Sequence, residues 1–217
     1  MIEYLKNNKT NINFYMAILL PVFYFCISWF VNWQEITPEG WSISVSYVFD
    51  VVFALSILTV GAKKNFLGQI IPRNLIIRLV LVLGVSLLAI TILYLSDTLN
   101  APFKHVNYLF IQLLILAPII EELIFRGAIY ELFKNAQVPI WVNNLINSLL
   151  FSISHMVSLD ILPEEFHAFV YFQMKYAFVL GHLCAKSRER THGVLEPMIL
   201  HFAFNLMFYL AVVFHVI

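Results

Sequence analysis

Charge is scarce in this chain. Thirteen basic and thirteen acidic residues among 217 cancel to a net charge of zero, and only 12% of the sequence is charged against 61% apolar. Average soluble domains run at about 25% charged and about 45–50% apolar, so this composition excludes an ordinary soluble domain. Zero net charge also removes the basic field that nucleic acid would require. Cysteine is equally thin. Cys26 and Cys184 both lie in apolar stretches without metal-ligand spacing, which excludes a disulfide scaffold and a cysteine-rich metal site. No serine–glycine linker, repeat or low-complexity tract interrupts the sequence, so residues 1–217 read as a single integral-membrane domain. The first apolar run, Phe14 to Trp33, lacks the A-x-A exit of a cleaved signal peptide and is expected to be retained.

What the sequence does have is long apolar runs. About 20 apolar residues cross a hydrocarbon core, and that ruler marks spans near 14–33, 44–62, 75–95, 107–130, 140–159, 166–185 and 197–217. The predicted fold is all-α: a polytopic transmembrane helical bundle of about seven spans, with six to eight satisfying the same ruler. Its short loops are asymmetric in charge. Lys6, Lys9, Lys63, Lys64, Arg73, Lys134, Lys186, Arg188 and Arg190 occupy one set, whereas Lys104 is the single base among Glu35, Glu39, Asp97, Asp160, Glu164 and Glu165 in the other. By the positive-inside rule the N-terminus is cytoplasmic. Trp33, Trp41 and the tyrosines suit an interfacial aromatic belt.

Within the fourth run stands Glu121-Glu122-Leu-Ile-Phe-Arg126, preceded by sixteen residues without a formal charge. Ionised groups at membrane depth cost roughly 2.5–3.5 kcal/mol each on insertion scales and are usually functional. Glu122 and Arg126 are four apart and share a helix face, which suits an ion pair. Glu121 is rotated about 100° away. One carboxylate is therefore held by arginine, and the other is free to act as a general base. The next span carries Phe151-Ser-Ile-Ser-His155, and the last begins Pro197-Met-Ile-Leu-His201-Phe-Ala-Phe-Asn205, with His201 and Asn205 again on one face. Glu121 and His155 are about equally far from the turn around residue 138, so an antiparallel hairpin sets them level, about 25 Å from its tip. His201 lies near the start of its span. It reaches the same level only if the hairpin projects beyond the membrane, which the polar tip (Glu131, Lys134, Asn135, Gln137, Asn143, Asn144) favours.

The order E-E-x-x-x-R, F-x-x-x-H, H-x-x-x-N on successive helices resembles the CPBP family: the CAAX-prenyl-protease and bacteriocin-processing intramembrane proteases, also called the Abi or Rce-one-like group. The stretch from Gly181 through a short basic loop and Gly193 to His201 is similar to that family as well. The resemblance covers roughly residues 105–210, and the motif residues show no departure. It implies peptide-bond hydrolysis in the membrane. Glu121 and His155 would activate water, His201 and Asn205 would stabilise the oxyanion, and Glu122 with Arg126 would form the orienting pair. Asparagine and histidine are competent oxyanion donors, which agrees with that division. Phe151 reads as packing around the histidine. Glu121, His155 and His201 are also a conceivable set of zinc ligands with an open fourth position, but no H-E-x-x-H helix is present, and a glutamate-type protease without cofactor is expected.

The implied partners are a peptide or protein substrate in or at the membrane and the lipid bilayer, with no nucleic acid. The compact N-in form suggests a bacterial plasma membrane and a substrate such as a bacteriocin, leader or pheromone. One rival is a non-catalytic binding protein of the same fold that confers bacteriocin immunity. A proton-coupled transporter is a second, disfavoured because no repeated half with broken helices is evident. Outside the motifs, Arg78 is expected to snorkel to the cytoplasmic edge, and Lys175 to pair with Asp50 or line a cavity.

Overall fold

The computed structural model describes residues 2–39, 44–61, 66–96, 99–105 and 108–217, with side chains from residue 12 onward except at 40–43, 59–65, 97–98 and 104–107. Within these residues the fold is all-helical, 84% helix without a strand. The side chains of Lys6, Lys9, Lys63, Lys64, Asp97 and Lys104, used in reading orientation, and of Trp41 lie outside the described set.

The principal helices are α1 (Ile2–Phe30), α2 (Ser46–Gly61), α3 (Pro72–Leu95), α4 (109–135), α5 (Ile140–Ser154), α6 (His167–Thr191) and α7 (Leu195–Val213). Short turns of helix sit between some of them, including Pro102–His105 and His155–Val157. The breaks follow local chemistry. Pro72 opens α3 at a position where its missing N–H costs nothing. Between α4 and α5 the chain turns through Gln137 at φ 58° and enters α5 directly after Pro139, which places the turn where the sequence suggested it. His192, at φ 56°, ends α6 with its N–H on the Arg188 carbonyl.

α4 is not a uniform α-helix. Residues Gln112–Leu116 and Leu123–Ile129 are wound as π-helix, separated by α-helical Ala117–Glu122. π-turns free or displace backbone carbonyls and occur often at functional sites. Here the Ala117 N–H bonds to the Gln112 carbonyl. Pro118 has no N–H to offer Leu113 in the same i+5 pattern. The Leu113 carbonyl is instead met by Asn205 Nδ2 of α7, at 2.8 Å.

α5 lies along α6, and α7 packs against α3, α6 and the first half of α4; α2 covers the second π-turn of α4, and α1 its last turn. A backbone clamp joins two loops: the N–H groups of Gln69, Val194 and Leu195 bond to Thr191, Phe66 and Leu67 carbonyls at 3.1, 3.3 and 3.2 Å. The approach is close enough that a Cβ on Gly193 would lie 2.0 Å from the Leu67 oxygen, so only glycine fits there.

Three helical stretches are long and apolar enough to cross a bilayer by length and composition: Ile12–Phe30, Pro72–Leu95 and Leu195–Val213, with Ser46–Leu58 a shorter apolar helix. α4 is interrupted by its charged site, α5 is only 15 residues long, and α6 runs into the polar stretch ending at Thr191, so none of these meets the same ruler.

Half of the polar hairpin tip (Lys134, Asn135, Gln137) is exposed, and half turns inward. Glu131, Asn143 and Asn144 are buried. Arg188 Nη2 pairs with Glu131, Asn143 Nδ2 donates to the Tyr130 carbonyl at 3.1 Å, and Asn144 Nδ2 donates to Glu189 at 2.7 Å. Partners on α6 for Glu131 and Asn144, and on α4 for Asn143, draw these three side chains into an internal network. Arg78 also departs from expectation. It is 6% exposed and does not snorkel, because Glu196 pairs with its Nη1 and Ser187 accepts from the same nitrogen at 3.3 Å.

Candidate active site

The centre of the bundle is built on Glu122, which is fully buried. Its Oε1 accepts from Arg126 Nη1 at 2.9 Å across one helical turn, and lies 2.9 Å from Nδ1 of His201 on α7. Arg126, also fully buried, uses Nη2 to reach the Gly181 carbonyl of α6 at 2.8 Å. Its guanidinium stacks over the Phe151 ring of α5, 4.5 Å from the centroid, a favourable geometry for a desolvated cation. One ion pair thus touches four helices. Gly181 permits this: a Cβ there would sit 3.0 Å from Phe151 Cδ1 and 3.3 Å from Arg126 Nη2.

Phe151 separates the two histidines. His155 and His201 stand edge-on to its ring at 5.2 and 5.7 Å, so the phenylalanine sets where each imidazole sits. His155 Nδ1 is 2.9 Å from the Phe151 carbonyl at the end of α5. With Nδ1 carrying the proton for that contact, Nε2 is left as an acceptor.

Glu121 faces a different environment from its neighbour. Its side chain is 31% exposed, and Oε2 has no hydrogen-bond partner, lying 3.9 Å from His201 Nε2. Glu121, His155, His201 and Asn205 together line a small cavity of about 70 Å³. A buried water needs only about 10–15 Å³ by the same kind of measure, so the space is large enough for water among groups able to bond it. A larger cavity of about 410 Å³ adjoins it, sharing Phe103, Leu113, Ala117, Glu121, His155 and Gln173. That volume falls within the roughly 300–1,000 Å³ typical of ligand pockets. The two carboxylates therefore divide as helix geometry suggested, with Glu122 enclosed by partners and Glu121 at the wall of a wet space.

All six residues singled out in the sequence, Glu121, Glu122, Arg126, His155, His201 and Asn205, converge on this region. Asn205 spends one amide proton on Leu113 and retains the other beside the small cavity. His201, near the beginning of α7, reaches both glutamates. Among the described residues no group of three or more His, Cys, Asp or Glu side chains is arranged to hold a metal ion. In particular, Glu121, His155 and His201 share the cavity without forming a ligand set.

Lys175 neither pairs with Asp50 nor lines the cavity. It is exposed on α6, one residue from the inward-facing Tyr176, and Asp50 accepts instead from the Tyr24 hydroxyl at 3.0 Å. Asp50 lines the larger cavity. Sequence reasoning also missed the Arg78–Glu196 pair, which anchors α7 five residues before His201. A basic residue early in span three and an acid at the start of the last helix were the available signal.

Residues 103–207 match the family model described as Type II CAAX prenyl endopeptidase Rce1-like, in agreement with the resemblance carried by the three motifs. Among curated proteins, the chain is 30% identical over 92 residues to an uncharacterized 24.3 kDa protein of Escherichia coli, a stretch covering 42% of this chain and 38% of that protein. The chain thus spans about two fifths of the length of the curated relative it matches. No solved structure matches.

Proposed function

We propose, because residues 103–207 match the Rce1-like model of type II CAAX prenyl endopeptidases, that this chain is an intramembrane glutamate-type endopeptidase. Its substrate is a membrane-associated peptide or protein. The observation that carries the reading is the small cavity in which Glu121, His155, His201 and Asn205 meet.

In this mechanism a water molecule in the cavity gives a proton to Glu121 while His155 Nε2 accepts its second hydrogen bond. The resulting hydroxide attacks the scissile carbonyl carbon. The tetrahedral oxyanion accepts from the spare Asn205 amide proton and from His201, whose Nδ1 is held 2.9 Å from Glu122 and whose Nε2 faces the cavity side of Glu121. Collapse breaks the C–N bond as the proton held by Glu121 passes to the amine. Arg126 neutralises Glu122, so Glu122 orients His201 without competing for the proton.

The proposal includes a multi-pass arrangement in a bacterial cell membrane with a cytoplasmic N-terminus, and a role in bacteriocin or pheromone processing or in self-immunity. Purified protein in detergent should cleave an internally quenched apolar reporter peptide. Glu121→Ala and His155→Ala should each lower the rate by about 10²–10⁴, the usual contribution of general base catalysis, while the protein remains folded. If both variants keep wild-type cleavage, the mechanism is wrong. If both keep the cellular phenotype without any cleavage by wild type, the chain is a non-catalytic immunity protein. Loss of activity on strong chelation would replace the metal-free scheme.

A further inference from the structure

Asp50 is the fifth of the sixteen residues of α2, outside the family-matched segment, and the mechanism above does not use it. A carboxylate in so apolar a helix is costly unless something answers its charge. The Tyr24 hydroxyl bonds Oδ1, but a neutral donor does not neutralise an anion, and Oδ2 receives no hydrogen bond among the described residues. Asp50 instead lines the 410 Å³ cavity together with Glu121. Among the described residues that wall holds no lysine or arginine, and His155 is its single basic side chain. Tyr24, Tyr47, Phe103 and Phe125 supply aromatic surface to the same space.

Two acids and aromatic walls, with no fixed cation among the described residues, make a low-dielectric field that attracts positive charge and repels negative. Aromatic faces also favour ammonium and guanidinium groups. We propose that Asp50 forms a cation-accepting subsite, so that the substrate carries a lysine or arginine side chain within a few residues of the scissile bond. The inference rests on the endopeptidase reading and specifies its substrate class. Tyr24 holds the carboxylate at the α1–α2 contact, and Glu121 stays free because the substrate cation is taken by Asp50.

The test uses N-acetylated, fluorescent, internally quenched decapeptides of leucine, valine and alanine, with lysine, norleucine or glutamate placed at each position in turn. Wild type should cleave the lysine peptide at least tenfold faster in kcat/KM than the norleucine peptide at one position, and the glutamate peptide slowest. Asp50→Asn keeps an acceptor for Tyr24 and removes the charge. It should lower kcat/KM for the lysine peptide at least tenfold, mainly through KM, and leave the norleucine peptide within twofold. Asp50→Lys should invert the preference towards glutamate. Equal losses on lysine and norleucine peptides would overturn the subsite and make Asp50 a packing residue, as would a wild type indifferent to charge. Should wild type cleave none of the peptides, the endopeptidase reading fails on its own. Fluorescence anisotropy with the His155→Ala protein then decides Asp50: a tenfold tighter Kd for lysine over norleucine that vanishes with Asp50→Asn sustains the subsite, and no preference refutes it.

Discussion

Consider replacing Arg126 by alanine. The change removes the guanidinium that neutralises Glu122, a side chain with no exposed surface, and leaves a buried carboxylate facing only His201. Breaking a buried pair in this way costs about 3–5 kcal/mol, because the orphaned charge stays desolvated. The lost stacking on Phe151 and the lost bond to Gly181 belong to the same substitution and are not counted again. At about 2–4 °C per kcal/mol for a chain of this size, the unfolding midpoint should fall by roughly 6–20 °C, measured by circular dichroism in detergent. The informative companion is Glu122→Met with Arg126→Met. Replacing both members by apolar groups of similar volume is often neutral or stabilising, so the midpoint should return to within a few degrees of wild type. Peptide cleavage should not return, because His201 has lost the carboxylate that orients it. A single-variant shift below about 2 °C would refute the buried-pair account. Full activity in the stable double variant would refute the orienting role of Glu122.

Gly181→Ala places a methyl 3.0 Å from Phe151 and 3.3 Å from Arg126, so it should cost about 1–3 kcal/mol in overpacking and reduce cleavage more than binding of the reporter peptide. Arg78→Gln strands the buried Glu196 and should destabilise by about 3–5 kcal/mol, with Arg78→Gln/Glu196→Gln recovering most of the loss in a denaturant titration; a single variant as stable as wild type would show that the pair contributes nothing.

The parts of the site legible in sequence were those governed by local geometry. Glu122 and Arg126 pair because residues four apart share a face, and Glu121 diverges because its neighbour does not. The level of His155 followed from counting back to a turn that proline and a positive-φ residue do mark. The π-turns of α4 were not legible, since no residue pattern demands them, although Pro118 explains why the Leu113 carbonyl needed Asn205. Arg78 was misread because snorkelling depends on the distance to the membrane edge, whereas its partner stands 118 residues away. The inward half of the hairpin tip, Glu131, Asn143 and Asn144, was not legible for the same reason. Polarity alone does not distinguish a solvated asparagine from one bonded to another helix, as Asn144 is to Glu189. Helix existence was readable from apolar runs, and among the described residues three of those helices are long and apolar enough to cross a bilayer.

An ion pair that locks helices and one that serves catalysis are usually treated as alternatives, and in the proposed mechanism one pair of this bundle does both. Glu122 binds Arg126 and His201 through one oxygen, so the bond that ties α4 to α7 also fixes the imidazole. Arg126 extends the tie to Gly181 of α6 and lies over Phe151 of α5, and Phe151 in turn sets the spacing of the two histidines. Four helices are thereby held around a space that none of them fills, and Glu121 is the acid facing it. A strongly bonded Glu121 would close the cavity, and a weakly bonded Glu122 would let it collapse. The two adjacent glutamates thus differ in setting: Glu122 is fully buried and tied to Arg126 and His201, whereas Glu121 lines the small cavity, and the proposed chemistry follows from that difference.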